Sequence, residues 1–270
     1  MLNLPKTLLE AKGARVKVES IPAGAPCWVD LHTPSAEVTR NFYGKLLGWE
    51  FDPPAAEFGG YFNFRKDGEF VAGCMPQAPD SDTPPMLMTY FSVLDARNTI
   101  AAATAHRGST LVPAMEVGDL GTMAVLADSG GAAVGLWEPK LHGGFGRSEE
   151  AGVALWFELE ARQYQSSVEF YRDVFGVIPT TMSETANFGY TTLNVAGVPR
   201  AGIVDASSSS TLDAPPSWLV YFGVEDTDRG LEVIAENGGS IISPAMDSPF
   251  GRLATVADPH GARFRILSRP

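Results

Sequence analysis

The sequence predicts an α+β protein made of four βαβββ modules, which form two tandem domains with curved mixed sheets. The first observation is a repeat, because short stretches of the first half recur in the second half after 128 to 131 residues. The second is the order of local patterns, since a strand, a helix and three further strands are indicated twice in each half. The third is the content of 28 Gly and 20 Pro in 270 residues, which is typical of many turns and short strands.

Composition and charge narrow the possible function classes. Hydrophobic residues make up 44% and charged residues 19% of the chain, which are ordinary values for a globular protein. A formal net charge of -12 makes nucleic acids and anionic membranes unfavourable partners. Cys27 and Cys74 form no Cys-x-x-Cys motif, and we expect two buried free thiols. Residues 1–20 contain no secretory apolar run and no stretch approaches a membrane span, so the sequence predicts a soluble cytoplasmic protein.

The repeat sets the domain organisation. Residues 42–49 match residues 170–177, and residues 108–115 match residues 239–246. A glycine-rich segment between the two copies is typical of a linker. The predicted parts are an N-terminal extension over 1–24, a first domain over 25–140, a linker over 141–151 and a second domain over 152–270.

The first module begins with a strand and a helix. Alternation predicts the strand over 28–33, and we expect the helix to begin at Pro34 with Thr33 as its N-cap. A helical spacing predicts one buried face, formed by Val38, Phe42, Leu46 and Leu47. Gly48 is expected to end the helix.

The remaining elements follow from the same local signals. Asp67-Gly68 between two strand patterns predicts a hairpin. Asp95 is expected to cap a second helix, which Arg107-Gly108 ends. The other strands of the first half are predicted over 61–64, 69–74, 87–93, near 116, and over 123–126 and 133–137. In the second half, strands are predicted over 154–159, 191–195, 201–204, 218–224 and onward through Ile266, with helices over 165–175 and 227–237.

Two motifs carry a resemblance to a known family. The first is the end of a helix, Phe42-Tyr43 to Leu47-Gly48, which recurs as Phe170-Tyr171 to Phe175-Gly176. The second is a turn before the last strand, Asp258-Pro259-His260-Gly261, with a degraded copy, Asp128-Ser129-Gly130-Gly131. With these motifs the chain resembles the vicinal-oxygen-chelate (VOC) superfamily, which includes glyoxalase I, extradiol dioxygenases and the fosfomycin- and bleomycin-resistance proteins. The resemblance covers residues 25–139 and 152–268, and the layout is most similar to actinobacterial tandem glyoxalase-like proteins that carry a hydroxylase label.

The resemblance implies that each pair of modules forms one curved sheet around a cup, with helices on the convex side. Members of the family hold a metal with His, Glu or Gln at four strand positions of each sheet. In the first domain those positions carry Trp28, Gly73 or Cys74, Met88 and Gly135. In the second domain they carry Trp156, Gly202 or Ile203, Leu219 and Arg265. Because a divalent cation needs several converging N or O donors, we predict that neither cup holds the metal. We expect no other cofactor either, since no glycine-rich dinucleotide fingerprint is present to bind a flavin.

Each domain carries a pair of ionisable residues on its first strand, an Asp/His pair in the first domain and a Glu pair in the second, and these are candidate general bases. Asp30 and His32 share one face, and a carboxylate beside an imidazole raises its basicity. A lone structural histidine at His32 is the alternative. The matched residues Glu158 and Glu160 would repel each other inside a cup, which would raise the pKa of at least one carboxyl. These side chains could instead face solvent or the other domain.

The rest of each cup is expected to be rich in aromatic residues. Tyr90 and Tyr221 are candidate general acids. By alternation, the candidate ligand-binding residues are Trp28, Tyr61, Asn63, Ser92 and Trp137 in the first domain, and Trp156, Tyr190, Thr192, Asn194 and Arg265 in the second. Such rings either fill the core or form a stacking pocket for a flat aromatic ligand.

Three functions remain open at this point. The first is binding of a small aromatic or polyketide-like metabolite in a metal-free cup, for sequestration or metal-independent conversion in secondary metabolism. The second is a metal-independent lyase, isomerase or cyclase that uses the Asp/His or Glu pair as base. The third is a metal-dependent glyoxalase, dioxygenase or hydroxylase with displaced ligands such as His32, Glu158 and Glu160. We expect a small-molecule partner in each case, and a monomer or homodimer.

Overall fold

Each half of the chain forms one eight-stranded mixed sheet, which confirms the predicted α+β architecture of four βαβββ modules. The computed structural model describes residues 16–17, 20–78, 80–185, 188–207 and 215–269. A two-residue strand, β1 (Val16–Lys17), pairs antiparallel with β10 (Arg147–Ser148) and joins the predicted extension to the predicted linker.

The N-terminal sheet has the strand order β3-β4-β5-β2-β6-β9-β8-β7. Its elements are β2 (Pro26–Thr33), α1 (Ala36–Leu47), β3 (Glu50–Phe51), β4 (Phe62–Lys66), β5 (Glu69–Pro76), β6 (Met86–Ser92), α2 (Ala96–Ala105), β7 (Ser109–Val117), β8 (Gly121–Ala127) and β9 (Ala133–Pro139). The first strands of the two modules, β2 and β6, pair antiparallel at the centre, and each pairs in parallel with the last strand of its own module.

The C-terminal sheet repeats this arrangement in the order β12-β13-β14-β11-β15-β18-β17-β16. Its elements are β11 (Ala154–Ala161), α3 (Tyr164–Phe175), β12 (Ile178–Thr185), β13 (Phe188–Val195), β14 (Val198–Asp205), β15 (Ser217–Gly223), α4 (Thr227–Glu236), β16 (Ser240–Ser248), β17 (Gly251–Ala257) and β18 (Arg263–Ser268). Here β11 and β15 form the central antiparallel pair.

Most local signals act as the sequence predicts. Asp67 and Gly68 both have positive φ angles, 48° and 82°, and they connect β4 to β5 as a tight hairpin turn. The Asp95 side chain accepts a hydrogen bond from the Asn98 amide and caps α2. Gly48 ends α1 in the left-handed region, at φ 68°.

Three local expectations were wrong. Ser35, rather than Thr33, caps α1, because Thr33 still belongs to β2 and Pro34 only connects the two elements. Val38 is 39% exposed, whereas Phe42 and Leu47 are buried, so the buried face of α1 is narrower than its apolar spacing suggested. The edge strand β12 was missed, because its threonine-rich sequence lacks a clean alternation of apolar and polar residues.

The two domains pack through their helix-bearing faces around one continuous apolar core. The repeated Phe-Tyr motif and the repeated Asp turn meet across this interface. Tyr43 donates from its hydroxyl to Asp258 Oδ2 at 3.5 Å, and Asp258 Oδ1 accepts from the amides of His260 and Ala262. The motifs that carry the resemblance therefore hold the two domains together, and both cups lie on the faces turned away from the interface.

Two further expectations concern the thiols and the membrane. Cys27 and Cys74 are buried free thiols, as predicted. Among the described residues, no helix is long and apolar enough to cross a membrane.

Candidate functional site

The face of each sheet opposite the helices forms a cup. We call these faces the N-terminal cup and the C-terminal cup. Strand register places alternate residues side by side on each face. In the N-terminal cup Asp30 lies between Gly73 and Met88, and Tyr90 lies between Trp28 and Gly135.

A carboxylate lies at the centre of the N-terminal cup and is held by aromatic hydrogen-bond donors. Asp30 Oδ1 accepts from Trp28 Nε1 at 2.9 Å and from the Tyr61 hydroxyl at 2.8 Å. Burial raises the pKa of Asp30 above its ordinary value, although His32, Tyr61 and Trp28 oppose that rise. Burial and the nearby Asp30 carboxylate also raise the pKa of Tyr90, which keeps its hydroxyl protonated. The structure thus brings together four predicted site residues: Trp28 and Asp30 from β2, Tyr90 from β6, and Tyr61 from the end of the loop before β4.

His32 lies on the same face as Asp30 but is not paired with it. In register it lies between Met75 and Met86, and no hydrogen bond joins the two described side chains of Asp30 and His32. His32 Nε2 is buried and has no hydrogen-bond partner within the described part of the chain. The imidazole therefore presents an unused polar atom to the cup.

Methionine is the residue type that the sequence analysis overlooked in this cup. Met123 lies beside Trp137, and Met115 lies beside Met123. In all, five methionines share the N-terminal concave face: Met75, Met86, Met88, Met115 and Met123. The alternation of Met86 and Met88 along β6 could have indicated part of this lining. Thioether side chains adapt to irregular shapes and make favourable contacts with aromatic rings.

The predicted linker closes one end of the N-terminal cup. His142 packs edge-on against Trp28, with ring centroids 4.5 Å apart, and Phe145 lies 5.5 Å from the same indole. Trp137 Nε1 donates to the His142 carbonyl at 2.8 Å. Burial lowers the pKa of His142 to about 4, so its ring is neutral near pH 7. Ser92 also faces this closed end and donates to the Ile21 carbonyl at 3.5 Å.

A chain of ion pairs fills the centre of the C-terminal cup. Arg265 Nη1 donates to Glu158, and its Nη2 donates to Glu160 Oε1 at 2.8 Å. The Tyr221 hydroxyl donates to Glu158 Oε1 at 2.9 Å, and Arg263 Nη2 donates to Glu160 Oε2 at 3.2 Å. The expected repulsion between the two carboxylates is therefore balanced by two guanidinium groups. These groups cover the oxygens that a general base would present to a ligand.

The outer part of the C-terminal cup is tied to the edge strand β12. Trp156 Nε1 donates to the Tyr190 hydroxyl at 3.0 Å. Thr192 and Asn194 donate to backbone and side-chain oxygens of β12, and Asn194 Nδ2 lies 2.9 Å from Thr180 Oγ1. These two residues line a depression of about 280 Å³ with neighbours that are mostly apolar.

Glycines on the last strands make room for tyrosine rings. A Cβ at Gly73 would meet the Tyr61 hydroxyl and the Asp30 carboxylate, and one at Gly202 would meet the Tyr190 hydroxyl. A Cβ at Gly135 would meet the Tyr90 ring. Three of the eight positions to which the resemblance assigns metal ligands, Gly73, Gly135 and Gly202, are thus glycines next to which a tyrosine side chain occupies the space of a Cβ.

The residues present do not fit a divalent metal ion. His32 lies in the N-terminal cup and the Glu pair lies in the C-terminal cup, so these three cannot bind one ion. Among the described residues, no group of three or more His, Cys, Asp or Glu side chains could hold a metal. In the C-terminal cup the Arg265 guanidinium, a fixed cation, occupies the centre.

Replacing Asp30 with asparagine is expected to stabilise the protein most at high pH. A carboxyl whose folded-state pKa is raised binds its proton more tightly in the folded than in the unfolded chain, so wild-type stability falls as pH rises. This loss begins near the ordinary value of 3.8 and is complete above the raised pKa. The advantage of Asp30→Asn should therefore grow with pH and then level off. Thermal unfolding midpoints of both proteins across that range provide the measurement, and an advantage that grows on acidification would contradict it.

Comparison with known proteins agrees with this fold. Residues 154–266 match the model of the Glyoxalase/Bleomycin resistance protein/Dioxygenase superfamily. CFP32 of Mycobacterium tuberculosis (strain CDC 1551 / Oshkosh), a protein named as a glyoxylase, is 33% identical over 249 residues, which cover 90% of this chain and 94% of the relative. The anthracycline biosynthesis protein DauV of Streptomyces sp. (strain C5) is 32% identical over 263 residues, which cover 90% and 93%.

Solved structures share the architecture at low sequence identity. The Mn(II)-bound glyoxalase from Novosphingobium aromaticivorans superposes with a TM-score of 0.63 at 15% identity, over 91% of this chain and 82% of that one. The 2,3-dioxygenase LapB from Pseudomonas sp. KL28 superposes with a TM-score of 0.61 at 14% identity, over 91% and 93%. At such identities the likeness concerns the fold alone, whereas the sequence relatives span nearly the whole chain. The chain therefore belongs to the glyoxalase/bleomycin resistance protein/dioxygenase superfamily.

Proposed function

We propose that this protein binds a small aromatic, polyketide-like metabolite in the N-terminal cup without a metal ion, for sequestration or metal-independent conversion. The observation that carries the proposal is the lining of that cup, where five methionines and several aromatic rings share one face of the sheet with a carboxylate. Small-molecule sites commonly combine an apolar, aromatic lining with a few polar groups. Met75, Met86 and Met123 are only half-buried, so apolar surface remains available for a ligand to cover.

The names of two relatives support the aromatic class of ligand. DauV and DnrV, the latter from Streptomyces peucetius, are both named for anthracycline biosynthesis, and each covers 90% of this chain in alignment. An anthracycline is a flat, fused aromatic system. Such a ring system would stack on the half-buried Tyr61 ring and contact the thioethers of the N-terminal cup.

The N-terminal cup is favoured over the C-terminal cup because their centres differ. The centre of the C-terminal cup is filled by the side chain of Arg265 and its carboxylate partners. A flat apolar ligand there would have to displace a buried ion pair, which is strongly unfavourable. The N-terminal centre carries Gly135 at the corresponding position.

A matched pair of substitutions tests the choice of cup. Met115 and Met246 occupy equivalent edge-strand positions in the two domains, and they are 50% and 59% exposed. We expect Met115→Arg to weaken binding of a hydroxyanthraquinone at least tenfold, since a charged, bulky side chain would stand beside the stacking surface. Met246→Arg should leave binding unchanged. Quenching of tryptophan fluorescence, measured with chelator present, reports the affinity.

The outcomes separate the alternatives clearly. Equal weakening by both substitutions would contradict the assignment to the N-terminal cup. Absence of binding by wild-type protein across a broad panel of flat aromatic compounds, or binding only after addition of a metal, would overturn the proposed function.

A metal-independent lyase, isomerase or cyclase is the second candidate, and Asp30 favours it. A buried carboxylate with a raised pKa is suited to act as a general base, and the phenol of Tyr90 is available as an acid. If this activity exists, Asp30→Asn should abolish turnover while aromatic ligands still bind. Turnover that survives this substitution would remove the candidate.

A further inference from the structure

The two cups share one arrangement of side chains, in which a carboxylate lies among aromatic rings. In each, a carboxylate on the first strand lies near three aromatic side chains: a tryptophan two residues earlier, a tyrosine on the adjacent strand β6 or β15, and a tyrosine just before β4 or on β13. The N-terminal set is Trp28, Asp30, Tyr61 and Tyr90, and the C-terminal set is Trp156, Glu158, Tyr190 and Tyr221. The sets correspond strand by strand, since β2 matches β11 and β6 matches β15.

The C-terminal arrangement already holds a cation. The Arg265 guanidinium pairs with Glu158 and lies over the Tyr221 ring, with its Cζ 5.0 Å from the ring centroid. The second carboxylate, Glu160, pairs with the other end of the same guanidinium. A carboxylate combined with an aromatic face is a favourable environment for a guanidinium or an ammonium group.

The N-terminal arrangement lacks its cation. Gly135 stands beside Tyr90 in the register where Arg265 stands beside Tyr221. A Cβ at Gly135 would run into the Tyr90 ring. This position of β9 therefore cannot carry a side chain, as Arg265 does in β18. Among the described residues, no lysine or arginine forms an ion pair with Asp30.

Two polar atoms of this cup are left for a partner from outside. Asp30 is only half-buried, and the Trp28 and Tyr61 donors both contact Oδ1, while the Tyr90 hydroxyl adds a further hydrogen bond to the carboxyl. His32 Nε2 is buried without a hydrogen-bond partner in the described part of the chain. Both residues lie on the concave face, two positions apart on β2. An unpaired buried polar atom is costly, and a ligand that pairs with it recovers that energy.

We propose that the N-terminal cup binds an organic cation, a primary ammonium or guanidinium group carried by the aromatic ligand, whose N–H donors pair with the Asp30 carboxylate and with His32 Nε2. The cation takes the place that the Arg265 guanidinium takes in the C-terminal cup. Its aromatic part lies against the rings and methionines of the same face. This inference rests on the proposed function and narrows its ligand class to aromatic compounds that carry an aliphatic amine or a guanidine.

Two matched probes separate the contribution of the charge to the affinity from that of the ring system. The measurement is the affinity of wild-type protein for 2-aminomethylanthraquinone and for its neutral counterpart, 2-hydroxymethylanthraquinone, by tryptophan fluorescence at neutral pH. We expect the amine to bind at least tenfold more tightly, because a charge-assisted hydrogen bond in a partly buried site is stronger than a neutral one. Equal affinities would overturn the cation site while leaving aromatic binding in place. Failure of both probes would instead count against the proposed function itself.

A pair of isosteric variants locates the effect. Asp30→Asn should reduce the preference for the amine to within about threefold, because the affinity for the amine falls when the carboxylate is lost. The control is Asp228→Asn, which removes the same charge from an exposed ion pair with Arg252 in the other domain and should keep the full preference. Affinity for the neutral probe shows that each variant is folded. A preference that persists in Asp30→Asn would place the cation elsewhere and overturn the proposal.

Discussion

Replacing Arg265 with methionine should lower the free energy of unfolding by about 3–5 kcal/mol, because two buried carboxylates lose their shared cation. The guanidinium binds Glu158 through Nη1 and Glu160 through Nη2, and none of the three side chains is more than 16% exposed. Water therefore cannot take over the lost contacts. Chemical denaturation of the variant and the wild type at neutral pH measures the difference.

A second arginine of the same network provides the control. Arg263 makes one ion pair, to Glu160 at 3.2 Å, and its side chain is 23% exposed. Arg263→Met should therefore lower stability by only about 1 kcal/mol. Equal losses of stability in both variants would contradict this account of the C-terminal cup.

Replacing Gly73 with alanine should destabilise the protein by about 3 kcal/mol, because the new methyl group would enter occupied space. It would meet the Tyr61 hydroxyl and the Asp30 carboxylate, which are already bound to each other at 2.8 Å. Trp28 donates to the same carboxylate oxygen, so the group cannot move aside without breaking a second hydrogen bond. Thermal or chemical unfolding of the purified variant gives the size of the effect.

Two comparisons show whether overpacking is the cause. Gly143 is exposed and a Cβ there would meet nothing within 4 Å, so Gly143→Ala should change stability by no more than about 0.5 kcal/mol. In a Tyr61→Ala background, Gly73→Ala should be less destabilising than in wild type, because one of the clashing groups is gone. A full loss that persists in that background would assign the effect to another cause.

Local sequence signals predicted much of the fold because they act within a few residues. The hairpin at Asp67-Gly68, the cap at Asp95 and the end of α1 at Gly48 each depend on one or two side chains and a backbone angle. The edge strand β12 was missed, since most of its side chains face solvent or sit half-exposed and leave no apolar period to detect. An edge strand depends on its neighbour, here β13, more than on its own pattern.

The candidate site could be predicted only in part. Alternation along β2 and β11 placed Asp30, His32, Glu158 and Glu160 on concave faces, because a strand has a fixed period of two. It could not indicate that Arg265 pairs with Glu158, which lies 107 residues earlier, or that Asp30 binds Tyr61 rather than His32. Such partners depend on register between strands that are distant in sequence.

By itself, the sequence determined the duplication and the order of elements, since these are properties of local spacing. Only the tertiary structure decided how the two cups differ. In the C-terminal cup the side chain of Arg265 occupies the centre, whereas Gly135 lies at the equivalent position of the N-terminal cup. The physical reason is that charge pairing and packing depend on distances in space, and strand pairing brings together side chains whose separation along the chain carries no signal.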